Sequence, residues 1–166
     1  MSGKKKQPKE TDEIRALLEA YGNLQRKIDL MENRRAFLED SLAAPSSSNL
    51  SGMPGGSRDR TSKQERDYLK IEELEERIDR LCAEENERRE EISDMIELMD
   101  NPDEQNIIQM RYFDRARWKE ISATIYGDAE DYDEELERYL KRTFRLHGHA
   151  LQTLARIYSG RMAAGE

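Results

Sequence analysis

Two long stretches of this chain place apolar residues at alternating steps of three and four, and this pattern restricts the fold more than any other feature. The stretches cover residues 11–42 and 63–100. Heptad spacing puts the apolar side chains on one narrow stripe of an α-helix, which another helix must cover. The stripe positions are Ile14, Leu17, Tyr21, Leu24, Ile28, Met31, Leu38 and Leu42, then Ile71, Leu74, Ile78, Leu81, Ile92, Met95 and Met99. We therefore predict a long antiparallel, coiled-coil-like helical hairpin.

Three polar residues interrupt the two stripes. Arg35 interrupts the first, and we expect its long side chain to reach solvent past its neighbours rather than to set the register. Glu85 and Arg88 interrupt the second, so the hairpin is expected to loosen at that level. The stripes are narrow, and their spacing of three and four continues through these polar positions. This pattern favours scaffolding and self-association over helices that pack only on their own domain.

The segments before and between the heptad stretches favour irregular structure. Residues 1–10 include four lysines and are predicted to be a disordered basic arm. Residues 43–62 are rich in Ser, Gly and Pro, which predicts a flexible connecting loop. A short docking segment at residues 53–56 (MPGG) is the alternative for part of that loop.

The composition limits what the chain can be. With 39% charged residues and a mean hydropathy of -1.02, it is too polar for one large core. Its single cysteine, Cys82, excludes an internal disulfide and fits a reducing compartment. The sequence contains neither a run of about eighteen apolar residues nor the apolar stretch of a signal peptide. We expect a cytoplasmic protein with no membrane contact.

No arrangement of residues in the sequence predicts catalysis. His147 and His149 are the only histidines, and side chains two residues apart on a helix point in different directions. Gly55 and Gly56 lack the lysine and helix start of a phosphate-binding loop. We therefore expect a protein that is not an enzyme and that has no metal, cofactor or small-molecule substrate.

Residues 102–160 have the outline of a helix-turn-helix domain. A first short helix is followed by a second, marked by the spacing of Trp118, Ile121 and Ile125. A longer third helix follows, and between residues 138 and 161 it carries six basic residues and no acidic one. Two short helices followed by a long basic one are typical of DNA-binding modules.

An acidic interval separates the second and third helices of this domain. Gly127 is expected to end the second helix in the left-handed conformation. Residues 128–137 then include seven acids, where an ordinary helix-turn-helix has a turn of three or four residues. The acids either lengthen the third helix or form a lobe beside it, and they must point away from phosphates. Contact with a protein instead of DNA is the alternative for this module.

The net charge of -8 does not exclude DNA binding when it is divided by region. Residues 102–166 hold 10 basic and 12 acidic residues, so removing the seven acids of residues 128–137 leaves a balance of +5. Screening limits charge–charge interactions to about 10 Å at ordinary salt, so the local charge decides phosphate attraction. The overall acidity predicts weak non-specific affinity.

Basic residues of the second and third helices are the candidate DNA contacts. Arg142 and Arg145, three residues apart on one helical face, suit bidentate contacts with guanine. Arg117 and Lys119, at the start of the second helix, are placed to contact the DNA backbone. The alternative is a solvated charged face. The remaining candidates, assigned to phosphate contacts, are Arg138, Lys141 and His149.

Two other side chains of the second helix are given structural roles. Trp118 is expected to pack in the core rather than to stack on a base. Glu120 is expected to pair with Arg111 inside the domain. Neither residue is therefore a candidate for DNA contact.

Two motifs, RYFDRARWKEISATIYG and FRLHGHALQTL, make residues 102–160 similar to region 4 of bacterial sigma factors. With the heptad helices and the SGMPGG loop, most of residues 14–157 resembles a family of small phage and prophage proteins of Gram-positive bacteria. That family is related to the RinA and ArpU late-gene transcription regulators. The resemblance implies that Ile121, Ile125 and Leu146 are packing positions of the helix-turn-helix.

We therefore predict an all-α protein in which the helical hairpin precedes a C-terminal helix-turn-helix domain. It is expected to bind double-stranded DNA through residues 102–160, to form a dimer through residues 12–100, and to regulate transcription in the nucleoid of a bacterial host. A DNA-packaging protein of the small-terminase type is one alternative, although such proteins usually place the DNA-binding module first. A coiled-coil adaptor that binds only host RNA polymerase is the other.

Overall fold

The computed structural model describes residues 10–44 and 58–165, with the backbone alone at residues 58–62. Residues 1–9 of the predicted arm and most of the predicted loop, including residues 53–56, lie outside these ranges. No strand occurs within them, and the predicted all-α class is confirmed. The helices are α1 (Asp12–Ala43), α2 (Arg58–Glu97), α3 (Pro102–Ile108), α4 (Trp118–Tyr126) and α5 (Leu136–Ala164), with a π-helical turn at Gln109–Phe113 that continues α3.

The described residues divide into two compact units, and each unit contains part of both long helices. The first unit combines the chain up to Gly22 with the chain from Arg88 onward, and the second unit is Asn23–Glu87. In the second unit, Leu42 near the end of α1 and Tyr68 near the start of α2 line one cavity. The two helices therefore run antiparallel, which confirms the predicted hairpin.

Two of the three polar residues in the heptad stripes, Glu85 and Arg35, have partners in the second unit. Gln25 is buried in α1, and its Nε2 donates a hydrogen bond of 3.5 Å to Oε1 of Glu85. The level of Glu85 is thus a polar layer between the helices. Arg35 lies 3.7 Å from Glu39, one turn along α1, and its side chain remains 35% exposed. The apolar core of the second unit is formed by Leu24, Ile28, Ile71, Leu74 and Ile78.

The first unit uses a wider face of α1 and α2 than the heptad predicts. Leu18 and Ile96 are fully buried although the predicted stripes omit them. Each lies beside a stripe residue, so the apolar face broadens here. A broader face is needed because α3, α4 and α5 also pack on this part of the two helices. The shared core is Ile14, Leu18, Tyr21, Ile92, Met95, Ile96, Met99, Ile107, Ile108, Ile121, Ala150, Leu151, Leu154 and Ala155.

The bounds of α2 differ from the predicted 63–100. The helix begins at Arg58, inside the predicted loop, since no glycine or proline follows Gly56 until Pro102. It ends at Glu97 because Asn101 caps the next helix. The Asn101 side chain accepts a hydrogen bond of 3.0 Å from the backbone N–H of Asp103, and Pro102 occupies the first turn of α3.

Gly127 ends α4 by a different mechanism from the predicted one. Its φ of -62° and ψ of -20° are right-handed, and its N–H donates to the carbonyl of Ala123 at 2.8 Å. A Cβ atom at position 127 would collide with that same carbonyl oxygen. Close backbone approach, rather than a left-handed conformation, therefore requires glycine here.

Two glycine-to-alanine substitutions should have effects of opposite sign. Gly127→Ala should lower the free energy of unfolding by roughly 1–3 kcal/mol, since the added methyl group overlaps Ala123. Gly160→Ala should raise it by roughly 0.5–1 kcal/mol, because a Cβ there meets nothing within 4 Å and α5 gains a better helix former. Urea unfolding followed by Trp118 fluorescence measures both changes. If the free energy of unfolding changed in the same direction in both variants, glycine would not be required at position 127 by close backbone approach.

No helix in the described ranges combines the length and the apolar character needed to span a bilayer.

Candidate nucleic-acid interface

One face of α5 carries a continuous row of exposed polar residues at steps of three and four. We call this row the basic stripe; it consists of Arg138, Lys141, Arg142, Arg145, His149, Gln152 and Arg156. On the opposite face of α5, Thr143, Ala150 and Leu154 are buried. Because side chains three and four apart share one face of a helix, the buried face holds the stripe towards solvent.

The seven residues predicted to contact DNA are all exposed, and they occupy two places. Arg117 and Lys119 lie at the start of α4. The other five belong to the basic stripe, which extends further along α5 than predicted and includes Gln152 and Arg156. The signal for this extension is present in the sequence, since the three-and-four spacing continues without interruption from His149 to Arg156.

The start of α4 is organised by Glu120. Its Oε2 accepts a hydrogen bond of 2.6 Å from the backbone N–H of Arg117. Backbone N–H groups at the start of a helix have no carbonyl partner within the helix, so the carboxylate takes that place. The predicted pairing of Glu120 with Arg111 is therefore wrong. Arg111 instead lies 4.7 Å above the ring of Trp118 and donates to the carbonyl of Ala116 at 3.2 Å.

An aromatic cluster joins α4 to α5. The ring of Trp118 contacts Phe144 edge-on at 4.9 Å and His147 at 5.0 Å between centroids. The hydroxyl of Tyr112, on the π-helical turn, lies 3.1 Å from Nε2 of His147. Contacts from two directions thus set the rotation of α5 about its axis, and with it the direction in which the basic stripe faces.

Burial keeps His147 neutral. Removal from water, followed by the charges of Arg15 and Arg111, lowers the pKa of His147 from its ordinary value of 6.5 to about 4. A neutral imidazole keeps one ring nitrogen available to accept a hydrogen bond from Tyr112. The two histidines therefore differ in surroundings, because His149 is exposed on the basic stripe.

This difference predicts a pH effect on stability. The unfolded chain binds a proton at His147 near pH 6.5, whereas the folded protein binds it only near pH 4. The contribution of neutral His147 to stability is therefore complete above pH 6.5 and is lost as the pH falls towards 4. His147→Gln should reduce this loss, and His149→Gln should leave it unchanged. The urea midpoints of the wild type, His147→Gln and His149→Gln at pH 7.5, 6 and 5 measure this effect. Equal pH dependence of all three midpoints would contradict the role of His147.

The acidic interval is a lobe of turns that packs against the start of α5. The hydroxyl of Tyr139 donates a hydrogen bond of 2.6 Å to Asp131, which also lies 3.5 Å from Arg138. The rings of Tyr126 and Tyr132 lie 5.5 Å and 5.4 Å from that of Tyr139. The hydrogen bond from Tyr139 lowers the pKa of Asp131 and keeps it ionised beside Arg138.

The acidic lobe affects only one end of the basic stripe. Arg138 is paired with Asp131, and the guanidinium of Arg142 lies 5.6 Å from the ring of Tyr139. Lys141 and Arg145 form no ion pair with any residue in the described ranges. The positive charge available to a ligand is therefore centred on residues 141–145.

The basic stripe and its surroundings, as far as the structure describes them, contain no cluster of metal-binding side chains. The described ranges contain no group of three or more histidine, cysteine or acidic side chains arranged to hold a metal ion. The chemistry that the surface supports is hydrogen bonding and charge attraction by guanidinium and ammonium groups. Both interactions favour an anionic ligand with oxygen acceptors.

These features define an all-α protein in which a helical hairpin precedes a three-helix region with an exposed basic helix. A family profile described as a protein of unknown function (DUF1492) matches residues 43–132, which are 90 of the 166 residues. The chain belongs to the DUF1492 family. The match includes α2, α3 and α4 and ends in the acidic lobe, before α5. No curated protein and no solved structure matches the chain.

Proposed function

We propose that this protein binds duplex DNA sequence-specifically through α4 and the first half of α5, and thereby regulates transcription. The basic stripe carries the proposal, since it is exposed and no acidic residue of α5 lies between Arg138 and Arg161. An α-helix fits the major groove, where the N-terminal residues of a recognition helix contact base edges. Arg142 and Arg145 lie in that part of α5.

The remaining basic residues divide by their surroundings. Lys141 and His149 flank the two arginines on the stripe and are assigned to phosphates, which position a protein on DNA. Arg117 and Lys119, at the start of α4, are assigned to the backbone beside the groove. Arg138 is paired with Asp131, which offsets its charge, so no DNA contact is proposed for it.

Regulation of transcription is proposed on the resemblance to sigma region 4 and to phage late-gene regulators. In that role the protein binds upstream of a phage or prophage promoter in the bacterial nucleoid, or recruits host RNA polymerase there. Both activities need an oriented recognition helix. The contacts of Trp118 with Phe144 and His147 supply that orientation.

Self-association through the hairpin completes the proposal. The second unit exposes four large apolar or aromatic side chains, between 58% and 68% of their area: Leu30, Phe37, Tyr68 and Leu69. Exposed apolar surface of this kind favours association with a second chain. A dimer would place two recognition helices about 34 Å apart, one turn of duplex.

Selection from a library of random duplexes tests the proposal directly. The purified protein should enrich a sequence with two related half-sites, and its affinity should fall steeply with salt because phosphate contacts release counterions. Mass in solution separates the alternatives. A ring of eight or more chains would favour DNA packaging, and retention on RNA polymerase without any DNA affinity at low salt would favour an adaptor.

A further inference from the structure

Phe144 is an exposed aromatic residue at the edge of the packing face of α5, one turn after Lys141 of the basic stripe. Its ring is 49% exposed although the apolar spacing of the sequence places it on the packing face of α5. Lys141 and Arg145, one turn before it and next to it, are both exposed. A half-exposed ring one turn after Lys141 and next to Arg145 is suited to an apolar contact at the edge of the same surface.

The position of this ring is set by its neighbours. Trp118 contacts it edge-on at 4.9 Å, and the guanidinium of Arg111 covers the Trp118 ring at 4.7 Å. His147 contacts Trp118 from a further side at 5.0 Å. Aromatic contacts of this kind have preferred geometries, so the exposed part of Phe144 is presented in a defined direction.

The major groove offers one distinctive apolar group, the 5-methyl group of thymine, which aliphatic and aromatic side chains contact. We propose that Phe144 contacts the 5-methyl group of a thymine next to the guanine bound by Arg145. The inference rests on the proposed DNA binding and adds a specificity-determining residue to it. It predicts that the preferred half-site includes a thymine whose methyl group contributes to affinity.

A protein partner fits this surface less well. The exposed large apolar residues of α5 within the described ranges are Phe144 and Met162, which lie about five turns apart at 3.6 residues per turn. A single ring among cations is not a contiguous apolar patch of the kind that marks protein docking sites. Burial against a protein would also remove the charges of Lys141 and Arg145 from water, which is unfavourable without partners.

The test replaces single thymines by deoxyuridine, which lacks only the methyl group, in the duplex enriched by the wild-type protein. A single replacement should weaken wild-type binding about fourfold, the equivalent of one buried methyl group. Phe144→Ala should bind the thymine duplex more weakly and show no further loss with deoxyuridine. Phe144→Leu, which keeps an apolar contact, should retain part of the effect, and Met162→Ala should retain all of it.

The outcomes separate this inference from the proposed function. Specific binding without any deoxyuridine-sensitive position would overturn the role of Phe144 and leave DNA binding intact. Equal sensitivity in the wild type and in Phe144→Ala would do the same. Failure of the wild-type protein to enrich any sequence would overturn both, as would retention on RNA polymerase with no DNA affinity.

Discussion

Replacement of both arginines in Arg142→Ala/Arg145→Ala is expected to remove sequence-specific DNA binding while the protein remains helical. A bidentate arginine–guanine contact contributes about 1–3 kcal/mol to discrimination, so loss of two lowers specific affinity by roughly 30-fold to 10⁴-fold. Both side chains are exposed on the basic stripe, and neither belongs to the buried core. Footprinting and gel shifts on the selected duplex measure the loss, and circular dichroism checks the helix content.

A matched double variant provides the control. Arg77 and Arg80 are also exposed, also three residues apart on one helix, and lie in the second unit. Arg77→Ala/Arg80→Ala removes the same charge, so an equal loss of binding would show that overall charge, rather than the face of α5, determines affinity. Unchanged specific binding by Arg142→Ala/Arg145→Ala would refute the proposed interface.

A large loss of stability is expected from truncation of Ile121. This side chain is fully buried in α4 and belongs to the core shared by the long helices and the C-terminal helices. Ile121→Ala leaves a cavity and should cost roughly 2–5 kcal/mol in the free energy of unfolding. Trp118, the only tryptophan, lies three residues away and reports unfolding of this region by fluorescence.

Leu98→Ala is the control for this variant. Leu98 belongs to the same unit, but it follows α2 in an exposed turn and is 58% exposed. Its truncation should change the free energy of unfolding by less than about 0.5 kcal/mol, as surface substitutions usually do. If the urea midpoints of the two variants fall by the same amount, Ile121 is not part of a continuous core.

The hairpin was predictable because its signal is local. Apolar residues repeat every three and four positions through Ile14, Tyr21 and Ile28, and only a helix places them on one side. The wider burial at Leu18 and Ile96 was missed, although each has an apolar neighbour in sequence. Both residues are buried because the C-terminal helices pack on the same part of α1 and α2.

The exposure of the predicted DNA-contacting residues was also accessible from spacing. Arg142, Arg145 and His149 follow one another at three and four residues, so they share one face of any helix that contains them. Glu120 was assigned wrongly because its carboxylate can bind either a basic side chain or a backbone N–H at the start of a helix. Only the position at which α4 begins selects the helix start.

Local patterns in the sequence alone therefore determine the helices and the row of cations on α5. Only the tertiary structure decides which residues pack against each face of these helices. Asp131 reaches Arg138 because aromatic rings fold the acidic lobe back onto Tyr139, and Phe144 stays half-exposed because Trp118 covers only one side of it. Helix periodicity acts over a few residues, whereas these contacts depend on how separate helices pack.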